Sequence, residues 1–162
     1  EYSNRMWAGK LGIVNFEEED QELSNELISN LQMSEIDLTI IFRLLSSMKD
    51  LEKNHLKPAF YNEDEVLSEK WDEWLAKWWH RVDGNPEELA MLGANPKYVL
   101  RNWMAQMAID SAEDGDYSVA MELHEMLKDP YAEQPKYEEK WYRKRPEWAR
   151  NRIGCSMLSC SS

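Results

Sequence analysis

The chain has 162 residues, of which 43% are hydrophobic and eight are Trp, and its formal net charge is −12. This length and composition suit a folded domain with a sizeable core, and the negative charge argues against a broad nucleic-acid-binding surface. No apolar run approaches the roughly 18 to 20 residues of a membrane span, and the amino end carries no secretory signal, so we expect neither a membrane protein nor a secreted one.

The amino end begins with Glu1 and continues as EYSNRMWAGKLG, a helical stretch without a cap or leader. Such a beginning is typical either of a piece of a longer chain or of a trimmed terminus. The residues alone leave these two alternatives open.

Helical periodicity dominates the first half of the chain. Residues 18–33 carry a stripe of Leu and Ile behind an acidic first turn, which predicts a helix. Asp37 is expected to cap a second helix ending near Met48, although the β-branched run 39–41 could instead form a short buried strand.

The clearest helix is predicted over residues 62–82, where apolar residues recur at spacings of three and four and form one face. The members of this face are Trp71, Trp74, Leu75, Trp78, Trp79 and Val82. Tryptophans in this arrangement can stack on bases or carbohydrate, but we expect them to form a core.

Two Asn-Pro pairs predict the starts of later helices, over residues 86–92 and 96–114, because Asn caps free amides and Pro suits the first helical position. Gly93 and Gly115 stand where these helices are expected to stop. A further helix is expected to be capped by Ser118 and to end before Pro130.

After Pro130 the chain becomes rich in Pro, aromatic and basic residues. We expect an extended strap, residues 131–162, with at most a turn or two of helix and with aromatic anchors on the helical body. These anchors would be Tyr131, Tyr137, Trp141, Tyr142 and Trp148. The predicted fold is all-α: an irregular bundle of about five or six helices in residues 1–130, forming one structural unit with the strap.

The strap is also the basic part of the chain. Residues 136–152 contain seven Lys or Arg and three Glu, a net charge of +4, which leaves −16 for the rest. This contrast indicates either a tail that docks on the acidic body or on an acidic partner, or a merely solvated face.

No pattern of catalytic or ligand-binding residues is recognisable. His55, His80 and His124 share no metal-ligand spacing, and the turn that contains Asp114 and Asp116 lacks the alternating oxygens of an EF-hand. The sequence has neither a glycine-rich phosphate loop nor a nucleophile elbow. We therefore assign no catalytic, cofactor-binding or metal-binding residue to this chain.

The two cysteines, Cys155 and Cys160, both lie in the last eight residues. A thiol on a flexible tail is accessible, and Arg150 and Arg152 nearby favour the thiolate modestly. Such a thiol can form a disulfide with a distant partner and act as a redox latch, or it can be a harmless tail thiol. A separate thiol oxidoreductase is a third alternative, but the two cysteines are not in a Cys-x-x-Cys motif.

Several segments of the chain carry a family resemblance. They are RMWAGKLGI, IDLTIIFRLL, WLAKWWHRV, NPKYVLRNWMAQMAIDSAEDGD, LKDPYAEQP, RPEWA and the final SCSS. Taken together and in this order, they resemble the carboxyl-terminal part of the selenoprotein O (SelO) family. The resemblance implies a protein adenylyltransferase with a pseudokinase fold, which transfers AMP from ATP to Ser, Thr or Tyr hydroxyls with Mg²⁺ or Mn²⁺.

By this resemblance the nucleotide motifs lie upstream of the matched segments, so none is placed on this chain. The chain would be a helical scaffold, like the carboxyl-terminal part of a kinase-like fold. Its partners would be the upstream kinase-like lobe and the protein substrates of the parent enzyme, which we expect to be a monomer. The alternative is a stand-alone interaction module without enzyme activity.

The resemblance also implies a role for Cys160. In the family the third residue from the end is cysteine or selenocysteine, and it is implicated in a regulatory disulfide with the catalytic body. Cys155 has no such counterpart, and a Cys155–Cys160 disulfide becomes the alternative if an upstream partner is missing. Family members occur in bacterial cytoplasm and in mitochondria, so we expect one of these compartments.

Overall fold

A computed structural model describes residues 2–152 and residue 155. These residues form helices and loops, with one isolated β-bridge between Ile36 and Phe60, so the all-α prediction is confirmed. The chain divides into two compact units, the first ending at Asn95 and the second beginning at Pro96. The expected boundary at residue 130 marks a change of composition and stays a prediction.

The first unit contains five α-helices and two 3-10 helices among its described residues. The α-helices are α1 (Tyr2–Leu11), α2 (Asp20–Met33), α3 (Leu38–Ser46), α4 (Glu69–Arg81) and α5 (Glu88–Ala94), and the 3-10 helices are Lys53–Ala59 and Glu63–Leu67. With the helices of the second unit, the described residues contain more helices than the five or six that we expected.

The core of the first unit is built on α4, whose tryptophans lie in the predicted apolar face. Trp71, Trp74 and Trp78 are at most 1% exposed, and the last two stack with ring centroids 5.8 Å apart. The indole nitrogen of Trp74 donates to the carbonyl of Leu23 in α2, and that of Trp78 to the carbonyl of Leu11 in α1, each at 2.9 Å. The prediction that these side chains form a core is confirmed.

Helix α3 begins as predicted. Asp37 is buried, and its carboxylate accepts a hydrogen bond of 3.1 Å from the amide of Ile40, which caps the helix. The alternative of a strand over residues 39–41 is wrong, because these residues lie within the helix.

The second unit contains four α-helices among its described residues. They are α6 (Asn102–Glu113), α7 (Ser118–Leu127), α8 (Pro135–Trp141) and α9 (Glu147–Arg150). Helices α6 and α7 pack as a hairpin around the turn at Gly115, which has a positive φ of 83°. The described strap adds the short helices α8, of seven residues, and α9, of four. Together they make about three turns, which is more helix than the turn or two that we expected.

Several predicted helix ends are wrong. The helix predicted from residue 62 begins as the 3-10 helix Glu63–Leu67, and α4 follows it. Gly93 lies inside α5. At the start of α7, Asp116 rather than Ser118 supplies the cap, since its carboxylate accepts from the amide of Ser118 at 2.9 Å.

The largest error concerns Asn95, which was expected to start a helix at residue 96. Asn95 instead ends α5, and α6 begins only at Asn102. Its buried side chain accepts from the Lys10 ammonium and donates to the Lys10 carbonyl, both at 3.1 Å. The contact with Lys10, which is distant in sequence, thus overrides the local preference of this Asn-Pro pair to begin a helix.

Among the described residues, no helix has the length and apolar character that a membrane crossing requires.

Candidate functional site

The predicted redox residues lie at the end of the second unit. Cys160 falls outside the described residues. Cys155 is 1% exposed, so the expectation of an accessible tail thiol is wrong for this cysteine. A thiol behaves as a small apolar group in a core, which explains why the chain can pack it there.

Cys155 belongs to an aromatic cluster of nine buried residues, which forms the core of the second unit. The aromatic cluster consists of Tyr98, Trp103, Met104, Leu123, Met126, Tyr137, Trp141, Ala149 and Cys155. Five of its members come from residues before Pro130, and four come from the strap. The strap therefore completes this core.

Trp141 connects α8 to the α6–α7 hairpin. Its ring lies 5.7 Å from that of Trp103 in α6, and its indole nitrogen donates to the Glu122 carboxylate in α7 at 2.5 Å. The ammonium of Lys140 binds the same carboxylate at 3.0 Å. Tyr137 is also buried, as expected of an anchor, whereas Tyr131 and Trp148 are 46% and 44% exposed.

Polar contacts hold the segment that leads to Cys155. The Arg152 guanidinium donates to both carboxylate oxygens of Asp110 in α6, at 2.8 and 2.7 Å, and lies 5.7 Å from the ring of Trp148. The Cys155 amide donates to the Arg152 carbonyl at 3.1 Å. The Arg152–Asp110 pair spans 42 residues in sequence, and no local pattern could have predicted it.

A second attachment comes from the Asn-Pro-Lys-Tyr segment that carried the family resemblance. Lys97 is 5% exposed and binds Glu133 at 2.7 Å and Glu138 at 3.1 Å. The hydroxyl of Tyr98 donates to the carbonyls of Glu133 and Gln134, at 2.9 and 3.1 Å. This segment therefore fastens the beginning of the strap.

Charge pairing shifts several pKa values in this unit. Hydrogen bonds from Arg152 and Gln106 lower the pKa of Asp110. Burial raises the pKa of Glu122, but the hydrogen bonds from Lys140 and Trp141 outweigh it and lower the pKa overall. Each shift favours the charged form that makes the contact, so these carboxylates act as structural partners.

The basic residues of the strap were expected either to dock or to remain solvated. Lys140 and Arg152 pair with carboxylates of α7 and α6, and Arg143 lies 5.2 Å from the ring of Trp103. These three residues dock on their own unit.

The first unit offers an acidic cleft of about 390 Å³. Its lining residues are Glu17, Glu19, Asp20, Glu22, Leu23, Glu26, Lys77 and Arg81. Asp20, which is buried, binds the Arg81 guanidinium at 2.6 and 2.8 Å, and Glu26 pairs with Lys77. Both basic residues of the cleft, Lys77 and Arg81, are thus paired with carboxylates of the cleft itself.

The described residues contain no group of three or more His, Cys, Asp or Glu placed to hold a metal ion. The three histidines are exposed, and the ring of His55 contacts Ser47 and the carbonyl of Leu44. No catalytic role follows from these side chains.

Comparison with known proteins gives a consistent result. Residues 1–128 match the family model described as protein adenylyltransferase SelO. Relatives named protein nucleotidyltransferase YdiU occur in Flavobacterium johnsoniae, at 45% identity over 97% of this chain, and in Aromatoleum aromaticum, at 43% identity over all of it. A third, from Rhodopirellula baltica, is 44% identical over 97% of the chain.

The chain spans about a third of the length of these relatives and matches their carboxyl-terminal part. The family model covers well over half of the chain. The chain therefore belongs to the SelO family of protein adenylyltransferases.

Proposed function

We propose that this chain supplies the carboxyl-terminal helical scaffold and the redox tail of a protein adenylyltransferase. The parent enzyme would transfer AMP from ATP to Ser, Thr or Tyr hydroxyls of proteins with Mg²⁺ or Mn²⁺, at a nucleotide site upstream of the matched region. The family match over residues 1–128 is the observation that carries this proposal.

The packing of the two units is consistent with a scaffold. Their buried polar side chains, such as Asn95 and Lys97, hold backbone or carboxylates of their own unit. Because the described residues fit neither a phosphate loop nor a metal site, no step of the transfer is assigned to them. Their role in the parent enzyme would be to support the kinase-like lobe.

Apolar side chains on the α6–α7 hairpin offer a surface for that lobe. Ile109 is 51% exposed, Tyr117 65% and Met121 60%. Exposed apolar residues are also found where separate proteins bind, so the same observation favours the second candidate, a stand-alone interaction module.

The redox part of the proposal concerns Cys160, which would form a regulatory disulfide with the catalytic lobe of the parent. The parent would act as a monomer, in the cytoplasm of a bacterium or in a mitochondrion.

A chimaeric enzyme tests the proposal. The matching region of the F. johnsoniae relative is replaced by this chain, and AMP transfer to a general protein acceptor is measured by intact mass with ATP and Mg²⁺ or Mn²⁺. We expect the chimaera to add AMP, and the 162-residue chain alone to add none. The control is the same relative with its matching region deleted.

Each outcome separates the candidates. AMP transfer by the chimaera but not by the deletion supports the scaffold. An AMP adduct with the chain alone would show that a nucleotide site lies within these residues. Equal, measurable AMP transfer by the chimaera and by the deletion would mean that the enzyme does not need this region, as expected for a stand-alone interaction module.

A further inference from the structure

Arg143, which follows the end of α8, is held in place by contacts that do not use its charge. The buried guanidinium of Arg101 donates to the Arg143 carbonyl at 2.9 Å and so restrains the backbone at this position. The Arg143 guanidinium lies 5.2 Å from the ring centroid of Trp103. Arg143 is exposed, and among the described residues no carboxylate lies within ion-pair distance of its guanidinium.

Three other cations of this unit lie against an aromatic ring, and each of them also binds a carboxylate. They are Lys97, Lys140 and Arg152, which lie 4.9, 4.7 and 5.7 Å from the ring centroids of Tyr142, Trp141 and Trp148. Their carboxylate partners belong to the same unit. Arg143 shares the ring contact with these cations, but its guanidinium stays open to a carboxylate from outside the part of the chain that the structure describes.

The ring contact leaves the donors of Arg143 available. A guanidinium that lies over a ring uses its face, whereas its N–H groups lie in its plane and point outward. These groups can hold both oxygens of one carboxylate in a two-point contact. Because the ring and the backbone contact already restrict Arg143, less conformational entropy is lost when such a contact forms.

We propose that Arg143 binds a carboxylate of an acidic segment in a separate protein. Nucleic acid suits this position less well, because the net charge of −12 repels an extended polyanion. Exposed ion pairs are individually weak and are screened by salt. They suit a partner that binds and dissociates, whereas permanent interfaces are more apolar. This role goes beyond the scaffold function and does not depend on it.

Lys136 offers the same segment a second contact. Its ammonium lies 4.4 Å from the ring centroid of Tyr137, is exposed, and has no ion pair within the described ranges. Lys136 is the second residue of α8, and Arg143 follows the helix by two residues, so their Cα atoms are at most about 17 Å apart. An extended segment covers this distance with about five residues. A partner with two acidic residues at about that spacing can therefore reach both cations.

Titration of the whole chain with an acidic probe peptide tests the proposal. The probe is a short capped oligoglutamate, and a capped oligoglutamine of the same length is the uncharged control. Binding is measured by NMR at about 0.1 M salt, where charges more than about 10 Å away are largely screened. The indole N–H resonance of Trp103 and the amide resonances of α8 report on the surroundings of Arg143. We expect saturable shifts with oligoglutamate, none with oligoglutamine, and loss of binding at about 1 M salt.

Substitutions assign the binding to Arg143. Arg143→Ala should weaken oligoglutamate binding by about fivefold, as loss of an exposed ion pair predicts. Arg143→Lys should weaken it less, because the charge stays but the two-point contact is lost. Lys128→Ala is the matched control: it removes the same charge from an exposed ion pair of this unit, with Glu125, and should leave the Kd unchanged. Circular dichroism verifies that the variants are folded.

Three results would overturn the proposal. They are the absence of oligoglutamate binding, an equal Kd for the Arg143→Ala and Lys128→Ala chains, and tighter binding of inorganic tripolyphosphate than of oligoglutamate. The second result would mean that binding follows net charge, and the third would reassign Arg143 to phosphate ligands. All of these measurements use the 162-residue chain without AMP transfer, so their failure is distinguishable from failure of the scaffold function in the chimaera.

Discussion

Replacement of Trp141 by Ala is the most direct test of the packing in the second unit. Trp141 is 1% exposed, lies against Trp103, and donates to Glu122. Truncation of a buried Trp to Ala costs about 3–5 kcal/mol, because the transfer free energy is lost and a cavity remains. This loss would fall on a unit of fewer than 70 residues, beginning at Pro96.

The loss is large compared with the stability of so small a unit. If urea lowers its free energy of unfolding by about 1 kcal/mol per M, the midpoint should fall by about 3–5 M. The unit would then be largely unfolded without denaturant. Urea titration by circular dichroism measures the midpoint, and hydrogen exchange of the α6 and α7 amides assigns the loss to this unit.

Trp148→Ala provides the matched control. Trp148 is 44% exposed and lies near the Arg152 guanidinium, so its truncation should cost less than about 1 kcal/mol. Equal midpoints for the two variants would refute the reasoning, because residues 131–150 would then be a loosely held extension and not part of the core.

Three further predictions concern single positions. Asp37→Ala should destabilise the first unit by about 1–2 kcal/mol in urea titration, through loss of the α3 cap. Gly12→Ala should lower the melting temperature, because Gly12 has a φ of 66° and an added Cβ would lie 2.8 Å from the Glu87 amide nitrogen. Gly93→Ala is the matched control: Gly93 lies inside α5 with open space around its Cβ position, so this substitution should raise the free energy of unfolding by about 0.5–1 kcal/mol. Because the pKa of Asp110 is lowered, its contact with Arg152 contributes fully to folding stability above the ordinary carboxyl pKa of about 3.9. This contribution is lost as pH falls through the lowered pKa. Cys155 of the Cys160→Ser chain should therefore react faster below about pH 4 with a dipyridyl disulfide, and this acid step should be absent after Asp110→Asn.

Local patterns in the sequence predicted those elements whose boundaries are set locally. The spacing of Trp71, Trp74 and Trp78 fixes the buried face of α4, and Asp37 stands immediately before an apolar run. In each case the signal lies within one or two turns of the helix it describes.

Prediction failed where residues distant in sequence compete with local preference. Asn95 has the preferred side chain and the following Pro of a helix start, yet it binds Lys10, 85 residues earlier. Similarly, Cys155 lies in a segment of small polar residues, and its burial depends on partners in α6, α7 and the strap. Contacts of this kind override propensity, which is worth less than about 1 kcal/mol per residue.

Basic residues that precede the strap also hold it in place. A segment with little helix leaves carbonyl groups without ladder partners, and long cationic side chains can supply donors to them. Arg101 does so, donating to the Arg143 carbonyl at 2.9 Å, and Lys97 holds the two glutamates beside the start of α8.

The strap's own cations act in the opposite direction. Lys140 and Arg152 donate to carboxylates of α7 and α6, whereas Lys97 and Arg101, which precede α6, donate to the strap. Because these contacts involve different residues of the strap, they fix its path at separate points along it. Lys140 and Arg152 thus serve the attachment of the strap to the hairpin.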